Sequence, residues 1–549
     1  MAAILADRML LSGDEAVALA AFNAGVRLGT GYPGTPSTEI LEAFARLGGK
    51  AQWAPNEKVA LEVALGAAFG GARTLITMKH VGVNVAADAL FTAAYTGVSG
   101  GLVLVSADDP GMASSQNEQD NRHYARAAGI LMLEPADSQQ AYDFTGAAFA
   151  LSERFQLPVM LRMTTRVCHS KSIVEQTHVP PPAGDPDFRR DVPSRVMIPA
   201  YARPAHRKLR QKLALAAEYA EHCAQTVVDM KGKALGIIAS GVAAAHAREA
   251  APEASVLQLG FSYPLPMQAI RDFVASVEHC VVIEEGDPIL LTELRADGLA
   301  VEGKPDSFRF GELNTERVRR ILAHDDSPEA APLAGKPPAL CEGCSHRPVF
   351  EALHRLDCIV AGDIGCYTLG VLPPFSGMDT CVCMGASIGV GLGLRHVLPA
   401  AQARRVVSVI GDSTFMHSGL TGVAEMVYNP PPGGHVLMIL DNGTTAMTGQ
   451  QEHPGTGRGL MHEAAGKIVF EDVLRAMGVD SVVTVDPMAS DTDLDQVIRE
   501  ALDSGKLSVI VARRPCILAA PKIRQYEKII IEKKKTAESG RQGSGAEAS

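Results

Sequence analysis

Apolar residues in this chain recur in two patterns. Short β-branched and aliphatic runs occupy 74–78, 102–106, 235–239, 281–284, 358–361, 406–410, 436–440 and 508–512, and most end on polar, turn-forming clusters. Between them lie longer Ala- and Gly-rich stretches with amphipathic spacing. Continuous apolar runs of strand length read as buried parallel strands, and their alternation with helices predicts doubly wound α/β sheets. In that architecture, loops at the carboxyl ends of the strands carry the chemistry.

Punctuation sharpens the picture. Ser12 with Glu15 three residues later is a capping-box signature, so a helix is expected to open there and run to about Gly25. The segment 30–37, Thr-Gly-Tyr-Pro-Gly-Thr-Pro-Ser, is a tight loop with a helix following from Ser37 or Thr38, and another helix begins at Asn56-Glu57. Two Pro-rich stretches read as linkers. The expected organisation is an α/β domain over 1–180, a linker over 181–209, a smaller middle α/β domain over 210–327, a linker over 328–338, a third α/β domain over 339–520, and a tail over 521–549 disordered towards its end.

Composition narrows the class. The 549 residues carry a net charge of −11, which argues against a nucleic-acid binder. No apolar run approaches the 18 or so residues a bilayer span needs, and the first residues do not read as a signal peptide. The longest apolar stretch, 381–394, is Gly-rich and suits a packed helix. Ten Cys without a signal peptide point to a reducing, cytoplasmic setting and to metal or redox chemistry before disulfides.

The run 406–413 ends Gly411-Asp412-Ser413, and the run 436–445 ends Asp441-Asn442-Gly443-Thr444-Thr445. A carboxylate, a carboxamide and a nearby main-chain carbonyl are hard oxygen ligands suited to Mg²⁺ on a diphosphate. The spacing, with Asn442 thirty residues after Asp412 (442 − 412), resembles the thiamine-diphosphate fingerprint, with Ser413 at a position that is Gly in its usual form. Met384, in Cys383-Met384-Gly385, matches the bulky apolar residue that props this cofactor into a bent shape in thiamine-diphosphate enzymes. Glu57 is the candidate for the carboxyl that bonds the aminopyrimidine ring and favours its imino tautomer. The alternative for Glu57 is an exposed first-turn residue favoured by the helix dipole. Arg122, closing the polar segment 111–122, is a candidate to grip a substrate carboxylate; its alternative is a surface arginine.

Cys341 and Cys344 form a Cys-x-x-Cys pair, Cys366 follows the 358–361 run, and Cys516 follows the 508–512 run. Thiolates on loops around a parallel sheet can hold an iron–sulfur cluster, a zinc ion or a redox pair. Cys381 and Cys383 are expected as buried packing beside Met384, and Cys168, Cys223, Cys280 and Cys358 as core residues.

Together these motifs resemble the large (alpha) subunit of indolepyruvate:ferredoxin oxidoreductase, within the 2-oxoacid:acceptor oxidoreductase superfamily. The resemblance covers about 10–520 and rests on Gly31–Pro36, Asn56–Ala60, Ser114–Arg122, Cys341–Arg347, 362–369 and 411–451. It implies a thiamine-diphosphate-binding fold in which a pyrimidine-type and a diphosphate-type domain flank the smaller one. It implies Glu57 as the pyrimidine partner, and Thr35 and Arg122 facing the substrate carboxylate. Asp412, Asn442 and the Thr444 carbonyl would hold Mg²⁺, with Met384, Gly385, Gly411, Ser413 and Thr448 against the cofactor. Cys341, Cys344, Cys366 and Cys516 would hold a [4Fe–4S] cluster. The implied reaction is oxidative decarboxylation of an aryl 2-oxo acid to its acyl-coenzyme A, with a smaller beta subunit as partner and ferredoxin or another carrier taking the electrons. A non-oxidative thiamine-dependent decarboxylase or lyase is the rival. The sequence departs from the family twice: Glu342 and Ser345 stand where Pro is usual, and no Cys follows Cys516, so the outer relay clusters of a ferredoxin-like domain are not expected in this chain.

Overall fold

The computed structural model describes residues 8–177, 179, 181–182, 184–329 and 338–544, the side chains of 533–544 excepted. The chain divides into two compact units, Met1–Ala331 and Pro332–Ser549.

The first unit is built on a seven-stranded sheet. Its order is Phe261–Tyr263, Leu131–Leu133, Val159–Thr164, Leu102–Asp108, Thr74–Lys79, Leu28–Gly31 and Ala51–Trp53. Every pairing is parallel except that of the edge strand Phe261–Tyr263. The inner strands are buried on both faces, as their unbroken apolar sequence requires. The Ser12–Glu15 capping box forms as expected and opens the helix Gly13–Asn23. Asn56 caps the helix Glu57–Phe69, its side chain accepting from the Val59 N–H.

A second sheet in this unit has five strands in the order Glu302–Gly303, Cys280–Ile283, Gly236–Ala239, Ser255–Leu259, Thr226–Asp229. Two boundaries fall elsewhere than the sequence suggests. The helix Pro199–Ala220 starts inside the expected linker, and its Leu209, Leu213, Ala216 and Ala220 pack into the core of the larger sheet. Phe261–Tyr263, from the expected middle domain, supplies that sheet's edge strand. Periodicity finds such elements but does not say which core they join. The positions 178, 180 and 183 of the first linker and 330–337 of the second lie outside the described residues.

The second unit holds a six-stranded, wholly parallel sheet. Its order is Thr380–Cys381, Ile359–Gly362, Val406–Gly411, His435–Asp441, Leu507–Arg513, Ser481–Val485. The tail, expected to be disordered only towards its end, is helical from Ala520 to Ser544. This helix docks through buried Ile523 and through Tyr526, which stacks on His462 with ring centroids 3.9 Å apart. The sequence signal missed here was an amphipathic start hidden by the Lys-rich run that follows. Residues 545–549 lie outside the described residues.

Candidate active site and thiol cavity

In the second unit, four strand ends converge on one set of loops. Asp363 follows Ile359–Gly362, Asp412 follows Val406–Gly411, Asn442 follows His435–Asp441, and Cys516 lies just past Leu507–Arg513. This is where a parallel sheet places its ligands.

Asp412 is buried, and its carboxylate is held by three neighbours. Oδ1 accepts the Ser413 N–H at 2.9 Å, and Oδ2 accepts the Gly443 N–H at 2.8 Å. His453 Nε2 lies 3.2 Å from Oδ2. Burial alone would raise this carboxyl, but His453 and the two N–H donors hold it below the usual range, so it stays an anion. The Gly443 bond also draws the Asn442 loop against Asp412. Asn442 Oδ1 accepts the Thr444 N–H at 3.2 Å, and Ser413 Oγ accepts from Thr445 at 2.8 Å. The loop closes on itself through Thr444 Oγ1 to the Gln451 carbonyl (3.1 Å) and Thr448 Oγ1 to Gln451 Oε1 (2.6 Å).

Two glycines let neighbouring groups pack close beneath the site. A Cβ at Gly411 would lie 2.5 Å from the Tyr367 ring. Gly385, beside half-buried Met384, sits at φ +86°, and a Cβ there would lie 2.4 Å from Ser418 Cβ. Asp363 fixes this turn, accepting from Gly385 N at 2.9 Å and Ser387 N at 3.0 Å. The donor set of Asp412, Asn442 and the Thr444 main chain, on one tied loop pair at strand ends, fits a hard divalent ion with a diphosphate.

Cys341, Cys344, Cys366 and Cys516 line a single cavity of about 90 Å³, and Asn442, Ala446 and Gln450 from the Asp412-linked loop form another wall. His346 joins the two regions. Its Nε2 lies 3.3 Å from Asn442 Nδ2, its ring packs edge-on against Tyr367, and burial pushes it down to about 4, so it is neutral. The Cys516 N–H donates to the Asn442 carbonyl at 2.9 Å. Burial, then the neighbouring thiols, pushes Cys366 up to about 11, and burial also raises Cys344, so any metal bound here displaces protons. A tetrahedral zinc with Zn–S of about 2.3 Å needs sulfurs roughly 3.8 Å apart. Among the described residues, no three of these sulfurs lie within 4.8 Å of one another.

Cys381 and Cys383 are exposed, not buried packing as expected: they lie on and just after the edge strand Thr380–Cys381, where the sheet has no further neighbour. Cys168, Cys223 and Cys280 are core residues, and Cys358 is half-buried.

In the first unit, Glu57 is 5% exposed, so the solvated first-turn alternative fails. Its carboxyl lies against Gly82 of the helix His80–Thr96, where a Cβ would fall 2.6 Å from Oε1. Gly82 is the missed residue here, because nothing in the sequence links it to Glu57. Thr35 is half-buried on the loop after Leu28–Gly31.

Arg122 is neither a surface arginine nor free to bind a substrate. It is 1% exposed, and each of its three nitrogens is hydrogen-bonded within the protein. Nε and Nη2 bond Asp120 at 2.9 and 2.6 Å, Nη1 bonds Glu284 at 2.7 Å, and Nη2 also bonds the carbonyls of Glu285 and Asp287 at 2.8 Å. Arg162 extends the network, bonding Asp108 and Glu134 at 2.7 Å each. The sequence could not reveal this, because Glu284 lies 162 residues away.

Comparison with known proteins accords with this geometry. Residues 363–512 match the family model "Thiamine pyrophosphate enzyme, C-terminal TPP binding domain", and residues 19–232 match "Pyruvate flavodoxin/ferredoxin oxidoreductase, thiamine diP-bdg". The pair defines a thiamine-diphosphate-dependent 2-oxo acid oxidoreductase. Indolepyruvate oxidoreductase subunit IorA of Archaeoglobus fulgidus is 40% identical, over 96% of this chain and 90% of that one. Its namesakes from Methanothermobacter marburgensis (41%; 94% and 88%) and Thermococcus kodakarensis (37%; 93% and 86%) are similar. The chain belongs to this IorA family. A 2-oxoglutarate:ferredoxin oxidoreductase from Magnetococcus marinus shares the fold at TM-score 0.50 and 18% identity, over 58% of this chain and 66% of its own. Among the described residues no helix is long and apolar enough to cross a membrane.

Proposed function

We propose that this chain is the large subunit of an enzyme that oxidatively decarboxylates an aryl 2-oxo acid of the indolepyruvate type to its acyl-coenzyme A, passing electrons through a [4Fe–4S] cluster. The observation that carries the proposal is the shared wall: Asn442 belongs both to the Asp412 loop pair and to the cavity of Cys341, Cys344, Cys366 and Cys516. One-electron oxidation needs an acceptor next to the reacting cofactor, and a cluster held by these thiols would lie beside the Asn442 loop. The names of the relatives support the substrate class and disfavour the non-oxidative decarboxylase.

In this reading Asp412, Asn442 and the Thr444 carbonyl hold Mg²⁺. Met384, Gly385, Gly411, Ser413 and Thr448 line the cofactor, and thiamine diphosphate when bound supplies the nucleophilic carbon and the electron sink. Glu57 holds and moves the proton at the aminopyrimidine ring. Thr35 faces the substrate carboxylate; Arg122 is removed from that role and serves as a structural ion-pair partner. The subunit designation of the relatives supports a beta partner, and ferredoxin or a similar carrier in the cytoplasm would receive the electrons.

The test is anaerobic purification with iron and sulfide analysis. About four of each per chain are expected, falling in Cys366→Ser together with indolepyruvate-dependent dye reduction. Iron-free protein that consumes 2-oxo acid at full rate would overturn the proposal.

A further inference from the structure

A buried carboxylate away from this chemistry has no evident role. Asp14 lies in the first turn of Gly13–Asn23 and is 1% exposed. Neither oxygen accepts an N–H or O–H hydrogen bond; its polar neighbour is the Cys168 thiol, a weak donor. Helix dipoles favour first-turn carboxylates, but that does not account for a carboxyl removed from water with so little hydrogen bonding, which is a costly arrangement. Two further groups converge on it. One Asp14 oxygen, one Glu39 oxygen and one His169 ring nitrogen all lie within 4.8 Å of one another. Glu39 opens the helix Thr38–Arg46, and His169 closes the helix Thr165–His169. Three helix ends thus bring two carboxylates and an imidazole to one point.

We propose that Asp14, Glu39 and His169 form a divalent-metal site of zinc type. The charge count agrees: two carboxylates neutralise a 2+ ion, so Asp14 and Glu39 can both ionise beside it without a net buried charge. The ligand set of two oxygens and one nitrogen leaves a fourth tetrahedral position for water or for the Cys168 thiol, whose residue is buried next in sequence to His169. Glu39 and His169 are exposed and offer an entry path, while Asp14 forms the inner wall. Without an ion, burial and then Glu39 push the Asp14 carboxyl well above the ordinary range, so a proton takes the ion's place. Glu39 lies four residues after Thr35 (39 − 35), so an ion here pins the base of the Thr35 loop to the ends of two other helices.

The experiment uses full-length protein loaded with thiamine diphosphate, Mg²⁺ and iron–sulfur cluster, so that those sites are filled. A His279→Ala background removes a second convergent set, His279, Glu302 and His324. Zinc chloride is titrated calorimetrically, and bound zinc is counted after dialysis. The expected result is one equivalent of zinc, with affinity at least tenfold weaker in His169→Ala and in Asp14→Asn, and a zinc-dependent rise in Tm in the parent alone. His169→Ala changes an exposed residue and keeps the test valid if Asp14→Asn folds poorly. Zinc uptake and Tm that are the same in parent and His169→Ala would overturn the site.

Discussion

The two units bury charge in opposite ways. In the first, Arg122 and Arg162 meet Asp108, Asp120, Glu134 and Glu284 in a network that bonds every Arg122 nitrogen. Such a buried, internally paired network offers little to a ligand. In the second, Asp412 is kept anionic by His453 and two N–H groups on a loop pair that also walls a thiol-lined cavity. That arrangement is open, and an ion or cofactor can complete it. The contrast teaches that burial of a charged residue in a polar motif does not mark a site. Unused bonding capacity beside a cavity does.

Breaking the closed side should cost the most. Arg122→Met leaves Asp120 and Glu284 as buried carboxylates without their cation, and removing one partner of a buried pair typically costs about 3–5 kcal/mol. Urea unfolding of the first transition should report it. If instead KM for the 2-oxo acid rises many-fold with stability unchanged, Arg122 is a substrate residue after all, and the contrast fails.

On the open side the expected order reverses, with function lost and folding kept. Asp412→Ala removes the anionic ligand, and thiamine-diphosphate affinity in the presence of Mg²⁺ should fall at least roughly 10²-fold. Chelation of Mg²⁺ from the parent should have the same effect by calorimetry. Glu57→Gln should lower kcat by about 10²-fold or more while cofactor binding persists, the usual scale of one acid–base group. Near-parental kcat would remove Glu57 from catalysis.

The smallest effect concerns a group that is buried but belongs to no site. His435, at the start of its strand, hydrogen-bonds Ser408 at 2.8 Å, and burial, reinforced by Arg395, pushes it down to about 3 from an ordinary 6.5. The folded state therefore binds fewer protons than the unfolded chain between those values. Its contribution to stability is complete above pH 6.5 and is lost as pH falls towards 3, by about 1 kcal/mol between pH 6 and 5. His435→Gln should flatten that part of the stability–pH curve. An unchanged slope would assign it to other groups.

Much of this was legible in the sequence. Unbroken apolar runs gave the parallel strands, and turn chemistry gave the Ser12 and Asn56 caps. The strand ends at Asp412 and Asn442 followed from motif spacing, whereas Glu57 and the set of four thiols were assigned their roles only with the family resemblance. What was not legible depended on contacts distant in sequence. Arg122 meets Glu284 only across 162 residues, and Gly82 reveals its purpose only once Glu57 lies against it. His346 and His453 acquire roles from Asn442 and Asp412, which no local pattern announces. The exposure of Cys381 and Cys383 depends on which strand forms the sheet edge, and an apolar run does not encode that.

The placing of the four thiols has a topological consequence. Cys341 and Cys516 are separated by 175 positions (516 − 341), and the whole six-stranded sheet of the second unit is threaded between them. A cluster ligated by both would close that segment into a covalent ring, with Cys366 dividing it. Cross-linking a loop of this length removes unfolded-chain entropy worth on the order of 5 kcal/mol. On the proposed function, the cluster would thus tie the two ends of the sheet's sequence together, and losing it would loosen the whole second unit.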